Sequence, residues 1–439
     1  MMAIGGAIGV GLFLGSTVTI RLAGPGVIVT YAIGAVIALV MAYALAEMAV
    51  VHPVAGSFGV FADRYVSMRL GFVMRGTYAF VQILAVGAEV TAVGIYFAFW
   101  FPNVPASLWV VAIAAALVAV NTAQVGVFGE LEYWFALIKV IAIVAFIGVG
   151  AMLVTGLGPW PAVGVRNLVA APGGFLPHGW RGVWLALTLV ITSYMGLEGI
   201  AVTAGEAEHP EIAIPRAMRS MVLRLILFYV VAVTVMLAMT PWPQLAEGGG
   251  GVTGSPFVRA FAAIGVPFAA GAMNLVVISA AVSSANSNLY MTSRMLLSLG
   301  RTGHAPAWLA AVNDRGVPIR AVGVGSAGMA VAMLLAVFAP ADAFLLLYGT
   351  AVAGMLFIWI AILVTYMRFR RALAPDEIAR LPIRMPAHRS LSWFAIASLA
   401  AIAATTLFVD GLRYSVISFV PFLLVMTLLY GRRREYAAV

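Results

Sequence analysis

Stretches of about 20 apolar residues recur from one end of this chain to the other, the length a helix needs to cross a hydrocarbon layer roughly 30 Å thick. Twelve can be read, near 1–21, 25–50, 72–100, 107–125, 131–156, 181–205, 219–240, 268–298, 319–339, 341–367, 390–410 and 413–431. Lipid offers the backbone no water, so segments of this length must close their own hydrogen bonds as helices rather than as barrel strands. Composition agrees. Hydrophobic residues fill 63% of 439 positions and charged residues only 9%, against about 25% charged in a soluble domain. A chain of this kind lacks the polar groups to coat a soluble globule. The expected fold class is an all-α polytopic membrane protein with twelve transmembrane helices, and tight turns at 23–26 and 340–341 join the first and ninth spans to their successors as hairpins.

The formal charge of +9 raises the question of a nucleic-acid partner, and its distribution answers it. With the N-terminus placed in the cytoplasm, nineteen arginines fall on the inner side: Arg64, Arg69, Arg75, Arg216, Arg219, Arg224, Arg294, Arg301, Arg315, Arg320, Arg368, Arg370, Arg371, Arg380, Arg384, Arg389 and Arg432 to Arg434. Five fall outside: Arg21, Arg166, Arg181, Arg259 and Arg413. That asymmetry is the positive-inside pattern of a multi-pass plasma-membrane protein with both termini cytoplasmic. The basic excess is topology, and the partner it implies is the lipid bilayer, not nucleic acid. The absence of cysteine excludes disulfides and thiolate metal sites. The histidines, at 52, 178, 209, 304 and 388, are scattered, none spaced as a metal-ligand pair, and no catalytic cluster sits in a polar loop. An embedded enzyme, a metal and a cofactor are therefore not expected. The longer polar stretches, 205–220, 299–320 and 368–390, lie inside, while 157–180 and the glycine tract at 247–251 form outward loops. Residues 56–71 read as a short amphipathic segment on the inner surface. Met1 already lies in apolar sequence with no basic lead-in, so the first span is expected to have lost residues that precede it.

Two spans carry glycine where a helix should be strongest. The first contains GGAIGVG at 5–11 and the sixth contains SYMGLEG at 193–199. Glycine costs a helix about 1 kcal/mol relative to alanine, so four in seven residues mark a place where the helix opens; close packing by small residues is the alternative. Interrupted spans five helices apart point to an inverted-repeat transporter with a site at the membrane midplane. An opened first helix exposes N–H groups that suit a carboxylate. An opened sixth helix exposes carbonyls that suit an ammonium. A site with both describes a zwitterionic α-amino acid.

Ionisable residues inside the spans are few: Glu47, Glu89, Lys139 and Glu198. Such groups are costly in lipid and usually face a cavity and act. Glu47, near an interface, has the plainer role of bonding a loop. Lys139 is the only lysine in the chain. Ammonium gives up its proton on desolvation far more readily than guanidinium, which makes Lys139 a candidate proton carrier; the structural alternative pairs it with Glu130, Glu132 or another buried acid. Glu198 lies within the break of the sixth span, where substrate, gate and proton are all within reach.

GGAIGVGLFLGS (5–16), AGPG (23–26), AEMAVVHPVAGSF (46–58), AEVTAVGIYFAFWFP (88–102), FGELEYWFALIKVIAIVAF (128–146), GLEGIAVTAGEAEHPE (196–211) and TSRMLLSLGRTGHAP (292–306) together resemble the bacterial amino acid permeases of the amino acid–polyamine–organocation superfamily. Among these the branch for aromatic amino acids, lysine, proline or 4-aminobutyrate is the most similar. The resemblance implies a leucine-transporter-type fold: inverted five-helix repeats over 1–156 and 181–368, an extracellular loop over 157–180 between them, and two further helices with a cytoplasmic tail in 369–439. It implies uptake of an L-amino acid by proton symport with alternating access, an exchanger of the same fold being the alternative, with no cofactor. It places the substrate carboxylate at Ile8, Gly9, Val10 and Gly11. The amino group falls to carbonyls near Ser193, Tyr194 and Met195, with Tyr194 or a neighbour closing the site. Lys139 stands where other relatives bind sodium, with Ser283 and Ser284 as neighbours, and Glu89 and Glu198 match acids implicated in transport. Val10 departs from the family's usual hydroxyl residue, which removes one hydrogen bond to the carboxylate, and the missing lead-in puts the inner gate in doubt. No further acid is dedicated to a cationic side chain, which favours a neutral or aromatic substrate.

Overall fold

The computed structural model describes residues 9–13, 15–54, 57–123, 125–157, 161–203, 209–247, 255–264, 268–338, 343–409 and 412–437. Among these the regular structure is helical throughout, with no strand. Ile8 and the glycine tract from 248 to 251 lie outside the described residues. The helices that organise the molecule are α1 (Gly15–Ala23), α2 (Val27–Val51), α3 (Met68–Phe97), α4 (Ala106–Thr122), α5 (Val125–Thr155), α6 (Gly179–Val190), α7 (Pro210–Arg224), α8 (Ala269–Arg301), α9 (Ala327–Phe338), α10 (Ala343–Ala372), α11 (His388–Thr406) and α12 (Arg413–Ala437). Each apolar stretch read from the sequence thus has helix beneath it. Among the described residues, seven helical runs are long and apolar enough to cross a membrane. One of these is a continuous run from Gly11 to Val51, because α1 passes into α2 through a single 3-10 turn at Gly24–Gly26 rather than through a loop. The chain is a multi-pass membrane protein.

Burial follows the logic of a protein dissolved in lipid. Large apolar side chains stand exposed in rows: Trp134, Ile138, Ile141 and Val144 on α5, Leu334, Val337 and Phe338 on α9, and Ile417, Leu424, Val425 and Leu428 on α12. Polar side chains turn inward, since a hydroxyl, amide or charge in hydrocarbon is costly without a partner. α8 shows this best. Ser283, Ser284, Asn286, Ser287, Asn288, Thr292 and Ser293 are all buried, and α8 runs along α3, which also packs on α9 and α10.

The sixth span is broken. α6 ends at Val190 and continues as one 3-10 turn, Ile191–Tyr194. Residues 195–198 leave the helix, and Gly196 adopts φ +97°, a conformation L side chains rarely take. Helix resumes at Gly199–Thr203. In the first span helix begins at Val10, directly after a bend at Gly9. The expected amphipathic segment contains a helix, Ser57–Tyr65. It is tied to the bundle by an ion pair of 2.7 Å between Asp63 and the fully buried Arg75 of α3.

Candidate functional site

A pocket opens where the bend at Gly9 and the broken sixth span meet α3 and α8. Gly9 and Gly11 line it from the first span, Thr192, Ser193 and Met195 from the sixth, Gln82, Ala85 and Glu89 from α3, and Ser284 and Asn288 from α8. A second, apolar crevice shares Thr192 and Met195 and extends between Ile191, Val352, Met355, Leu356 and Trp359. Gly9 is required here: a Cβ on it would come within 2.6 Å of both the Glu89 Oε1 and the Ser284 Oγ. The bend therefore packs its bare backbone against a hydrogen-bonded pair, the Ser284 hydroxyl donating to Glu89 at 2.7 Å.

The residues expected to hold the substrate are placed as follows. Gly9, Gly11, Ser193 and Met195 line the pocket, and the Val10 backbone lies between two of them. The Ser193 carbonyl already accepts from the Tyr229 hydroxyl at 2.7 Å and keeps a second lone pair. Tyr194 is not among the lining residues. Its hydroxyl donates to the Tyr31 carbonyl at 2.7 Å, and its ring packs edge-on to Tyr31 and tilted against Tyr229. Glu198 also lies outside the lining, in a network beside the pocket. The Tyr78 hydroxyl and the Gly196 N–H both donate to its Oε1, at 3.2 and 3.0 Å. The Gln82 amide donates to the Tyr78 oxygen at 3.0 Å and to the Asn288 Oδ1 at 3.2 Å, which joins Glu198 to the wall of the pocket.

Lys139 is fully buried. Its ammonium donates to the Ser283 hydroxyl at 2.9 Å, and that hydroxyl donates to Glu132 Oε2 at 2.8 Å. The other oxygen of Glu132 accepts from the Asn286 amide at 2.9 Å, and Asn286 accepts in turn from Asn121 at 2.7 Å. Glu89 is close enough to interact electrostatically with Lys139 as well. A buried ammonium is tolerable only with such partners. The two acids read as alternatives for pairing separate cleanly: Glu132 is buried and Glu130 is exposed. Glu47 stands in a different cluster, where it accepts from the Tyr366 hydroxyl at 2.9 Å and from the Met385 N–H and faces Arg370 at 3.4 Å. Its loop-bonding role is visible in the Met385 contact, and the ion pair with α10 adds to it.

A broken sixth span and the bend at Gly9 around a small polar pocket, with a buried ammonium and three buried carboxylates nearby, are a transporter's arrangement, and comparison with known proteins identifies which. The amino acid permease family model matches residues 1–434. The chain belongs to the amino acid permease family. It is 39% identical over 435 residues to an amino acid permease, YtnA, of Bacillus subtilis, an alignment covering 98% of this chain and 93% of that protein. To the aromatic amino acid transport protein AroP of Escherichia coli it is also 39% identical, over 432 residues, 98% of this chain and 93% of the relative. AroP of Salmonella typhimurium is 42% identical over 372 residues, 85% of this chain and 80% of its own length. The permease is accordingly an amino acid transporter, not an enzyme.

Sequence reasoning passed over Glu132 as a site residue and missed Asn286, Tyr78, Gln82 and Asn288. The signal for the first was its spacing from Lys139: seven residues are two helical turns, which puts both on one face. The signal for α8 was the dense polar run 283–293 in the middle of a span.

Proposed function

We propose that the permease takes up an L-amino acid across the plasma membrane by proton symport, with Lys139 carrying the coupling proton and the pocket between the interrupted spans holding the substrate. Supporting this above all is Lys139, fully buried and joined through adjacent serines of α8 to the acid that lines the pocket. In this reading twelve spans form inverted repeats over 1–156 and 181–368, followed by two helices in 369–439, and the arginine asymmetry sets both termini in the cytoplasm. Gly9, Val10 and Gly11, with Ile8 before them, take the carboxylate; carbonyls of the opened sixth span near Ser193 and Met195 take the amino group. The apolar crevice beyond Thr192 and Met195 takes the side chain, which favours an apolar or aromatic substrate, in keeping with the relative AroP, an aromatic amino acid transport protein. Glu89 and Glu198 are the further acids of the cycle.

The test uses purified protein in proteoliposomes. Lys139→Ala is expected to abolish accumulation driven by an imposed pH gradient while leaving substrate counterflow. Accumulation unchanged in that variant removes the proton role from Lys139. Uptake by the parent that ignores the gradient but responds to internal amino acid makes the protein an exchanger instead. Competition with the twenty amino acids identifies the substrate.

A further inference from the structure

The hydrogen bonds around Glu132 have fixed directions. The Asn121 amide donates to the Leu117 carbonyl at 3.0 Å, and a carbonyl can only accept. Asn121 therefore presents N–H to Asn286 Oδ1, and Asn286 must turn its own N–H to Glu132 Oε1. From the other side the Lys139 ammonium can only donate, so Ser283 accepts from it and gives its single proton to Glu132 Oε2. Both chains point at Glu132, and they differ in one respect. The amide chain cannot reverse while it is anchored to Leu117. The serine can reverse, since a hydroxyl donates or accepts as its neighbours require.

We propose that Glu132 is a second proton-carrying group of the permease, exchanging the proton of Lys139 through the Ser283 hydroxyl. This rests on the reading of Lys139 as the coupling residue and extends it by naming where that proton goes. In the transfer an Nζ–H bond of Lys139 breaks as its proton binds Ser283 Oγ, and the hydroxyl proton that Ser283 held moves to Glu132 Oε2. A neutral amine and a neutral carboxylic acid result, with serine regenerated and its hydroxyl turned back toward Lys139. The summed charge of the three side chains is unchanged, so no other ion has to move. Asn286 occupies Oε1 in both states and reserves Oε2 for the proton. Among the described residues, the charged groups that bear on the exchange include Lys139 and Glu132 on α5 and Glu89 from α3, while Asn121 of α4 and Ser283 and Asn286 of α8 are uncharged. Glu132 lies two turns nearer the start of α5 than Lys139, and both are fully buried.

The test compares Glu132→Gln, Glu132→Asp and Lys139→Ala with the parent in proteoliposomes, using a labelled mixture of the twenty amino acids and an entrapped pH dye. Glutamine keeps the shape and an acceptor but cannot carry the proton. Glu132→Gln is expected to keep counterflow within about twofold and to lose gradient-driven accumulation and proton flux by at least about tenfold, a modest loss for removing a proton-transfer group. Glu132→Asp is expected to restore accumulation with a displaced pH profile. Accumulation and pH profile like the parent's in Glu132→Gln overturn the relay, as does equal loss of counterflow in both Glu132 variants, which marks a structural role. If Lys139→Ala still accumulates, the underlying coupling assignment falls and the relay with it; if Lys139→Ala fails while Glu132→Gln succeeds, the relay alone falls.

Discussion

Asp63 gives the sharpest energetic test of how this fold is held together. Its carboxylate meets Arg75 Nη2 at 2.7 Å, with Arg75 fully buried and Asp63 21% exposed. Without Asp63 the guanidinium keeps, among the described residues, the Gly71 carbonyl at 3.2 Å and the Ser298 hydroxyl at 3.5 Å, neither of them charged. Removing one partner of a buried pair costs about 3–5 kcal/mol, mostly through the charge left behind. Because Asp63 reaches water, which screens part of the interaction, Asp63→Ala is expected near the lower end, about 3 kcal/mol. Asp63→Asn keeps one acceptor and is expected to lose about half as much. The double variant Asp63→Ala/Arg75→Met removes the stranded charge and is expected to recover most of the loss. Unfolding in mixed micelles by SDS titration reads all three. A single variant within about 0.5 kcal/mol of the parent, or a double variant no more stable than Asp63→Ala, refutes the reasoning.

Val10→Thr restores the hydroxyl residue that related permeases are expected to carry at this position and is expected to tighten or redirect substrate recognition; an unchanged competition profile counts against a carboxylate contact there. Val352→Phe fills the apolar crevice and is expected to depress uptake of phenylalanine, tyrosine and tryptophan relative to alanine by about tenfold, the scale a misfitted apolar pocket imposes, whereas parallel loss of all four places the side chain elsewhere. Ser283→Ala is expected to cut gradient-driven accumulation while counterflow stays near the parent, and Ser284→Ala to raise the KM while the proton-to-substrate ratio holds. Identical phenotypes for the two serine variants dissolve that distinction.

What the sequence made legible follows from which physical terms are local. The apolar stretches are local, and each has helix beneath it. Lys139 stood out because no other lysine occurs in the chain. Glu132 did not, since two acids lie within three residues and a search for charge treats them alike. Helical rotation separates them. Seven residues bring Glu132 to the face of Lys139, while nine carry Glu130 about half a turn away, and Glu130 is indeed exposed. The network around Glu198 was not legible. Tyr78, Gln82 and Asn288 are uncharged, such residues are ordinary in spans as interhelical contacts, and the bonds that unite them cross 120 and 206 residues. Tyr194 was expected near the substrate because it sits in the break, yet its ring direction depends on Tyr31 and Tyr229, far off in the chain.

Ser283 and Ser284 show how one helix can address two sites with adjacent residues. Successive side chains on an α-helix point about 100° apart, so the first reaches Lys139 and Glu132 on α5 while the second reaches Glu89 on α3. A single peptide unit separates the two contacts. Gly9 reports on the second, because its backbone fits against the Glu89–Ser284 pair with no space for even a methyl group. In the proposed cycle, any movement of the first span that accompanies substrate binding presses on or releases Ser284. α8 is a 33-residue helix packed along α3, so in that cycle a rigid shift of the helix carries both serines together. Substrate and proton then need no direct contact to be coupled. In the proposed cycle, a shift of α8 that displaces Ser284 also changes the geometry of Ser283, and with it the hydroxyl through which Lys139 and Glu132 are joined.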